Sequence, residues 1–272
     1  MSPNLKRLRN ILGKEWQVMF SSLNSALFVT LLPVLIVAQA LFYIWVIPQF
    51  AGEGVLTSSI VQNALGKLGE ALPSLAGFPV DEQFQVLLLL QFNFFLLLVP
   101  TMIAIGSAAF SIVEEKQTRS LEPLLATPVR TWELLLGKAF SGAIPALLMT
   151  WVCAGIFLTG AAGLGWGHLL GLVVTPAWFI TLFFLTPAVA VLSFMLGVMG
   201  SSRARDANSA QYLALLVVLP VLALIAVQVT GMLWFTPLLT LALGLGISAL
   251  DLLTLRVAVR LFQRETILVQ WR

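Results

Sequence analysis

Apolar residues run along this chain in stretches far longer than a water-soluble core needs. Reading these stretches gives six expected spans, at about 24–47, 85–112, 139–163, 170–199, 210–230 and 233–255. Each is near the roughly 20 residues that carry a helix across about 30 Å of hydrocarbon, or long enough to tilt. Strands of a membrane barrel alternate over roughly 10 residues, and no such alternation is present. Backbone groups in hydrocarbon must be bonded within the protein, so the pattern predicts an all-α polytopic bundle forming one transmembrane domain over residues 1–272. The last two spans are the least regular. Only Thr230-Gly231-Met232 separates them, and Pro220 and Pro237 interrupt them, so a tight hairpin and a partly re-entrant pair fit equally.

Polar stretches between the spans predict further elements. Residues 1–22 hold Leu5, Leu8, Leu12, Trp16 and Met19 at three- and four-residue steps, with Lys6, Arg7, Arg9 and Lys14 on other sides. This is the pattern of an amphipathic helix lying in the headgroup region and contacting membrane lipids; a disordered basic leader is the alternative. The apolar run that follows contains Ala38-Gln39-Ala40, a small-x-small pattern, but continues through Trp45 to Ile47, which suits an uncleaved anchor better than a signal peptide. In the loop 48–82, Leu56, Ile60, Ala64, Leu68 and Leu72 suggest a short helix, either a lid or a packed connection. Arg256, Arg260 and Arg264 fall four apart and extend the last helix with a basic stripe.

Composition and charge agree with this layout. The chain is 59% hydrophobic and 10% charged, with a mean hydropathy of +0.99. If the N-terminus is cytoplasmic, 14 of the 15 Lys and Arg fall on the cytoplasmic side, and only Lys67 falls outside. Under the positive-inside rule both termini and the 113–138 segment face the cytoplasm. The net charge of +3 then reports topology and anionic lipid, and no basic, aromatic soluble patch suits nucleic acid. Cys153 is the single cysteine, so no intrachain disulfide can form.

Several chemistries are excluded by their missing residues. Gly66-Lys67 and Gly137-Lys138 are followed by Leu68 and Ala139 and lack the upstream glycine, so neither is a phosphate-binding loop. There is no metalloprotease or serine-hydrolase motif, and the one histidine, His168, sits in a Gly-rich outer turn as a headgroup-level polar residue. Asp251 is the only ionisable candidate inside a span, and a local ion pair with Arg256 is expected to account for it. An ion-coupled pump normally carries more such groups. Small residues at four-residue spacing, Gly163, Gly167 and Gly171, and Gly142 with Ala146, are candidates for close packing or hinge motion.

The stretch from Glu114 to Lys138 carries eight of the 27 Lys, Arg, Asp and Glu residues, between two almost uncharged spans. Its apolar set, Leu121, Leu124, Leu125 and Val129, could enter a partner's cleft while Glu114, Glu115, Lys116, Arg119 and Glu122 bond at the rim; a solvated loop is the alternative. Pro128 allows a turn, after which Thr131 to Lys138 resumes a helix.

The residues E-E-K-x-x-x-S-L-E-P-L-L-A-T-P-V-x-x-x-E-L-L-L-G-K resemble the signature of ABC type-2 transporter permeases. The stretch from Ser201 to Gln211 is similar to that family's inner loop before its fifth span. Arg119-Ser120 stands where many members have Gly-Thr, a departure at the turn before Leu121. The resemblance implies the membrane subunit of an ATP-driven exporter in a prokaryotic cytoplasmic membrane. Its ATPase-coupling residues would be Glu114, Glu115, Lys116, Arg119, Ser120, Leu121, Glu122, Leu124, Leu125, Thr127 and Pro128. The N-terminal helix would be a connecting helix. The implied partners are two cytoplasmic ATPase subunits, which bind ATP and magnesium, and a second permease, identical or paralogous. The chain itself is expected to bind no cofactor or metal and to catalyse no reaction. A membrane scaffold or receptor-like protein that docks a cytoplasmic partner without a substrate path is the competing reading, and the substrate-binding residues are not identified by sequence.

Overall fold

The computed structural model describes residues 12–14, 16–17, 20–21, 23–50, 53–117, 131–203, 218–228 and 236–261. Among these residues the chain is helical throughout, with no strand. Five helices are long and apolar enough to cross a membrane, and a shorter apolar helix accompanies them. We label the main elements α1 (Leu23–Phe50), α2 (Ser59–Ala71), α3 (Val80–Phe95), α4 (Leu98–Gln117), α5 (Thr131–Ala161), α6 (Thr186–Arg203), α7 (Val218–Gln228) and α8 (Pro237–Leu261). The expected fifth span is represented by α7 alone, because the rest of 210–230 lies outside the described residues.

The second expected span is two helices. α3 ends at Phe95, two residues pass as a turn, and α4 begins at Leu98. Pro100 explains the break. It has no N–H to give the Leu96 carbonyl, and its ring crowds that carbonyl, so the regular ladder cannot pass. The chain recovers through Thr101, whose N–H and hydroxyl both donate to the Leu97 carbonyl, at 3.4 and 2.7 Å.

The fourth span begins later than the apolar run suggests. Residues Leu170–Val173 form a single turn, Thr175 is extended (φ −92°, ψ 168°), and Pro176 starts the helix Pro176–Ile180. Proline biases its predecessor to extended backbone and suits the first helical position, so the boundary follows from Thr175-Pro176. A π-helical turn at Thr181–Leu185 then leads into α6. The turn between α5 and the fourth span reverses at Gly165, whose φ of +95° is accessible to glycine without strain.

Apolar packing is layered along the bundle. At one end Val37, Leu65, Leu68, Phe84, Phe157 and Trp178 are buried together. At the other, Ala104, Ala108, Leu135, Ala139, Phe194 and Ala258 form a smaller cluster. Between them, Leu97 and Leu185 pack with Val221 and Ile225 of α7, and Val29 packs with Ile103 and Ala146. α2 is the helix expected in the 48–82 loop. Ser58 caps it by accepting from the Val61 N–H, and it buries Ala64, Leu65 and Leu68 on α3's end of the bundle. Lys67 therefore lies at the end opposite Lys138 and Arg256.

Close approach decides which small residues matter. A Cβ on Gly142 would stand 2.6 Å from the Phe194 ring, so this glycine admits α6 against α5. At Gly163 or Gly171 a Cβ would meet nothing within 4 Å, so their regular spacing does not mark a contact.

Candidate coupling end and the polar layer of the bundle

Two features stand out as candidates for function: the bundle end that flanks the 118–130 stretch, and a layer of buried amides and hydroxyls deeper in. At the bundle end, Glu114, Glu115 and Lys116 occupy the last turn of α4. Arg119, Ser120, Leu121, Glu122, Leu124, Leu125, Thr127 and Pro128 lie outside the described residues. The chain re-enters at Thr131 as a helix, as Pro128 and the following pattern predict, and the helix sinks at once into the bundle. Leu135 and Ala139 are each 1% exposed and pack among Ala104, Ala108, Phe194 and Ala258. Lys138 is fully buried and Glu133 nearly so, and neither is without an interaction partner. A charge taken out of water is costly unless paired, so burial of these two residues depends on those partners.

Trp16, expected as a headgroup anchor, instead donates its indole N–H to the Ser141 carbonyl on α5 at 3.0 Å. The rest of the 1–22 amphipathic pattern, apart from a few residues, lies outside the described part of the chain.

The polar layer radiates from three consecutive residues of α3. Successive helical residues point about 100° apart, so Gln91, Phe92 and Asn93 reach three different neighbours. Gln91 Nε2 donates to the Gln228 carbonyl, and Gln228 Nε2 donates to the Leu90 carbonyl, both at 3.5 Å, joining α3 to α7. Phe92 stacks on Phe157 of α5 with ring centroids 3.6 Å apart. Asn93 Nδ2 donates to Thr181 Oγ1 at 3.3 Å, at the first residue of the π-helical turn. All three amides are buried, and Gln91 Oε1, Asn93 Oδ1 and Gln228 Oε1 have no hydrogen-bond partner. These amides stand in the sequence as polar positions within apolar runs, but no sequence pattern joins Gln91 to Gln228, 137 residues away.

Asp251 does not form the expected pair with Arg256. Five residues along a helix turn the second side chain about 140° from the first, whereas neighbours on one face are three or four apart. Among the described residues Asp251 Oδ1 is buried without a hydrogen-bond partner. His168 faces Glu82 across 3.8 Å, joining the Gly165 turn to the first turn of α3. No cluster of three or more metal-ligating side chains occurs among the described residues.

An apolar helical bundle with several candidate spans defines a multi-pass membrane protein. The model of the ABC-2 family transporter proteins matches residues 9–252, and the chain belongs to that family. Neither a curated protein nor a solved structure matches it. Members of the family are generally membrane transport subunits that lack ATPase motifs and pair with an ABC ATPase.

Proposed function

We propose that this chain is the permease subunit of an ABC exporter, driving a substrate outward across a prokaryotic cytoplasmic membrane with energy from a separate ATPase. Two such permeases, identical or paralogous, stand beside two ATPase subunits that hold the ATP and magnesium. Both termini and the 113–138 segment face the cytoplasm, and α2 with the Gly165 turn faces outside. The stretch from Glu114 to Leu125 serves as the coupling helix, with Glu122, Leu121, Leu124 and Leu125 in contact with the ATPase.

One observation supports this reading above others, beside the family match. The helix that follows the partner-facing stretch is not a loose surface element, because Leu135, Lys138 and Ala139 are buried among α4, α6 and α8. A push delivered at residue 131 is passed to three other helices, as a bistable packed bundle requires. A scaffold needs no such linkage.

Leu124→Asp tests the assignment. With its partner ABC ATPase co-expressed, the variant is expected to insert normally and to lose most ATPase co-purification, since an apolar contact removed from a partner cleft costs about 1–3 kcal/mol. Co-purification and ATP turnover at wild-type levels would place the coupling surface elsewhere.

A further inference from the structure

Pro145 lies inside α5, and it has no N–H. In an α-helix the carbonyl four residues earlier, that of Ser141, is thereby left without its usual donor. The indole of Trp16, 125 residues away in sequence, fills that vacancy at 3.0 Å. The arrangement recurs elsewhere in the bundle. In the π-helical turn Thr181–Leu185 the Thr186 N–H donates back to Thr181, so the Leu182 carbonyl would be served by residue 187, which is proline. Trp151 donates its indole N–H to that carbonyl at 3.3 Å. The indole hydrogen bonds recorded among the described residues are these two, and both end on a carbonyl that a proline has vacated.

We propose that Trp16 is a positioning residue whose indole, seated on the carbonyl freed by Pro145, clasps the N-terminal segment to α5. Where little water reaches, an unsatisfied carbonyl is costly, so the vacancy is a binding point for a donor and not merely a kink. The clasp lies ten residues beyond Thr131, about 15 Å along the helix. Ser141 Oγ also holds the Lys138 carbonyl at 2.7 Å, and the next residue, Gly142, lies against Phe194. At this level α5 is gripped by the N-terminal segment on one side and by α6 on another, so a displacement of α5 carries the N-terminal segment with it. The docking stands on geometry alone; its use in coupling rests on the function proposed above.

The test uses the full chain in nanodiscs of phosphatidylcholine and phosphatidylglycerol, with trypsin cleavage after Lys14 as the readout. Trp16→Phe keeps the ring and removes the N–H, and is expected to raise the cleavage rate about fivefold. Pro145→Ala restores an N–H that competes for the Ser141 carbonyl; a carbonyl has two lone pairs, so the indole can share it, and cleavage is expected between the wild-type and Trp16→Phe rates. The double variant should be cleaved no faster than Trp16→Phe alone. Trp151→Phe should leave this rate unchanged. In isotope-labelled tryptophan spectra, the Trp16 indole proton should show a hydrogen-bonded shift in the wild type that weakens in Pro145→Ala. Wild-type cleavage in Trp16→Phe, a double variant cleaved faster than Trp16→Phe, or a Trp16 indole proton without a hydrogen-bonded shift in the wild type would each overturn the clasp.

In the complex with its ATPase, Trp16→Phe is expected to lower kcat for ATP severalfold and leave KM unchanged, because the nucleotide site is on the other subunit. An unchanged kcat alongside a confirmed cleavage cycle would overturn the clasp's role in coupling, whereas failure of any ATPase to associate would overturn the exporter reading and leave the docking intact.

Discussion

The second and last spans are both about as apolar as a membrane helix needs to be, with mean hydropathies of 2.2 and 2.0, yet they are used in opposite ways. In the second, 71% of the most apolar stretch is buried; in the last, 11% is. The buried one is broken at Leu96–Leu97, carries Gln91, Asn93 and Thr101, and contacts α5, α6 and α7 through its side chains. The peripheral one runs unbroken for 25 residues and turns Leu238, Leu241, Leu245 and Leu252 outward. Hydropathy thus distinguishes span from loop but not centre from edge. A broken backbone is tolerated where neighbouring helices can satisfy the groups it frees, and the last span, with few such neighbours, keeps a regular ladder.

The sharpest way to break this contrast is to add one methyl group at each place. A Cβ on Gly197 would stand 2.8 Å from the Ala108 methyl and 3.4 Å from the Ile105 backbone, both on α4, with no flexible side chain to yield. Gly197→Ala is therefore expected to cost about 1–3 kcal/mol in detergent unfolding. Gly246→Ala, on the outward face of α8 with nothing within 4 Å, is expected to stay within about 0.5 kcal/mol of wild type. Equal losses at the two sites would mean that α8 packs as tightly as α6 does against α4.

A smaller effect is expected from the polar layer. Gln91→Leu or Gln228→Leu alone removes one of the reciprocal amide bonds and should cost about 0.6–1.7 kcal/mol. Because both bonds join the same two helices, loss of one loosens the other, so the double variant should cost less than the sum, and a double-mutant cycle measures the difference. No loss in either single variant would show that α3 and α7 are held by packing alone.

The smallest effect belongs to the turn that carries His168. His168 and Glu82 are 54% and 31% exposed, so Glu82→Gln is expected to shift stability by less than about 1 kcal/mol, and less again in high salt. A loss comparable to that at Gly197 would make this pair a structural lock on the outer end.

Much of the architecture was legible in the chain. The apolar runs located the spans, the pattern in 48–82 located α2, and Pro128 with the residues after it located the start of α5. Pro100 and Pro176 were also visible, but an apolar run reads through a proline, so the breaks at residues 96–97 and 174–175 were not drawn from hydropathy. The glycines illustrate the same limit. At Gly163 and Gly171, which have the spacing of a packing motif, an added Cβ would meet nothing within 4 Å, whereas Gly197, which glycine spacing does not single out, lies close against α4. Of the candidate coupling residues, Glu114, Glu115 and Lys116 fall on α4, and those from Arg119 to Pro128 lie outside the described residues.

By itself the sequence determined that this is a helical membrane protein, that its charges gather at the helix ends, that it has no phosphate-binding loop, and that its polar inner stretch carries a family signature. These are properties of composition and local order, which one-dimensional patterns record. Only the tertiary structure decided which apolar span is central, which amides meet across 137 residues, and that the vacancies left by Pro145 and Pro187 are filled by Trp16 and Trp151. Those outcomes depend on which groups from distant parts of the chain come within about 3.5 Å of one another, since a hydrogen bond is made only at that range and an unpaired group inside the bundle must find its partner there.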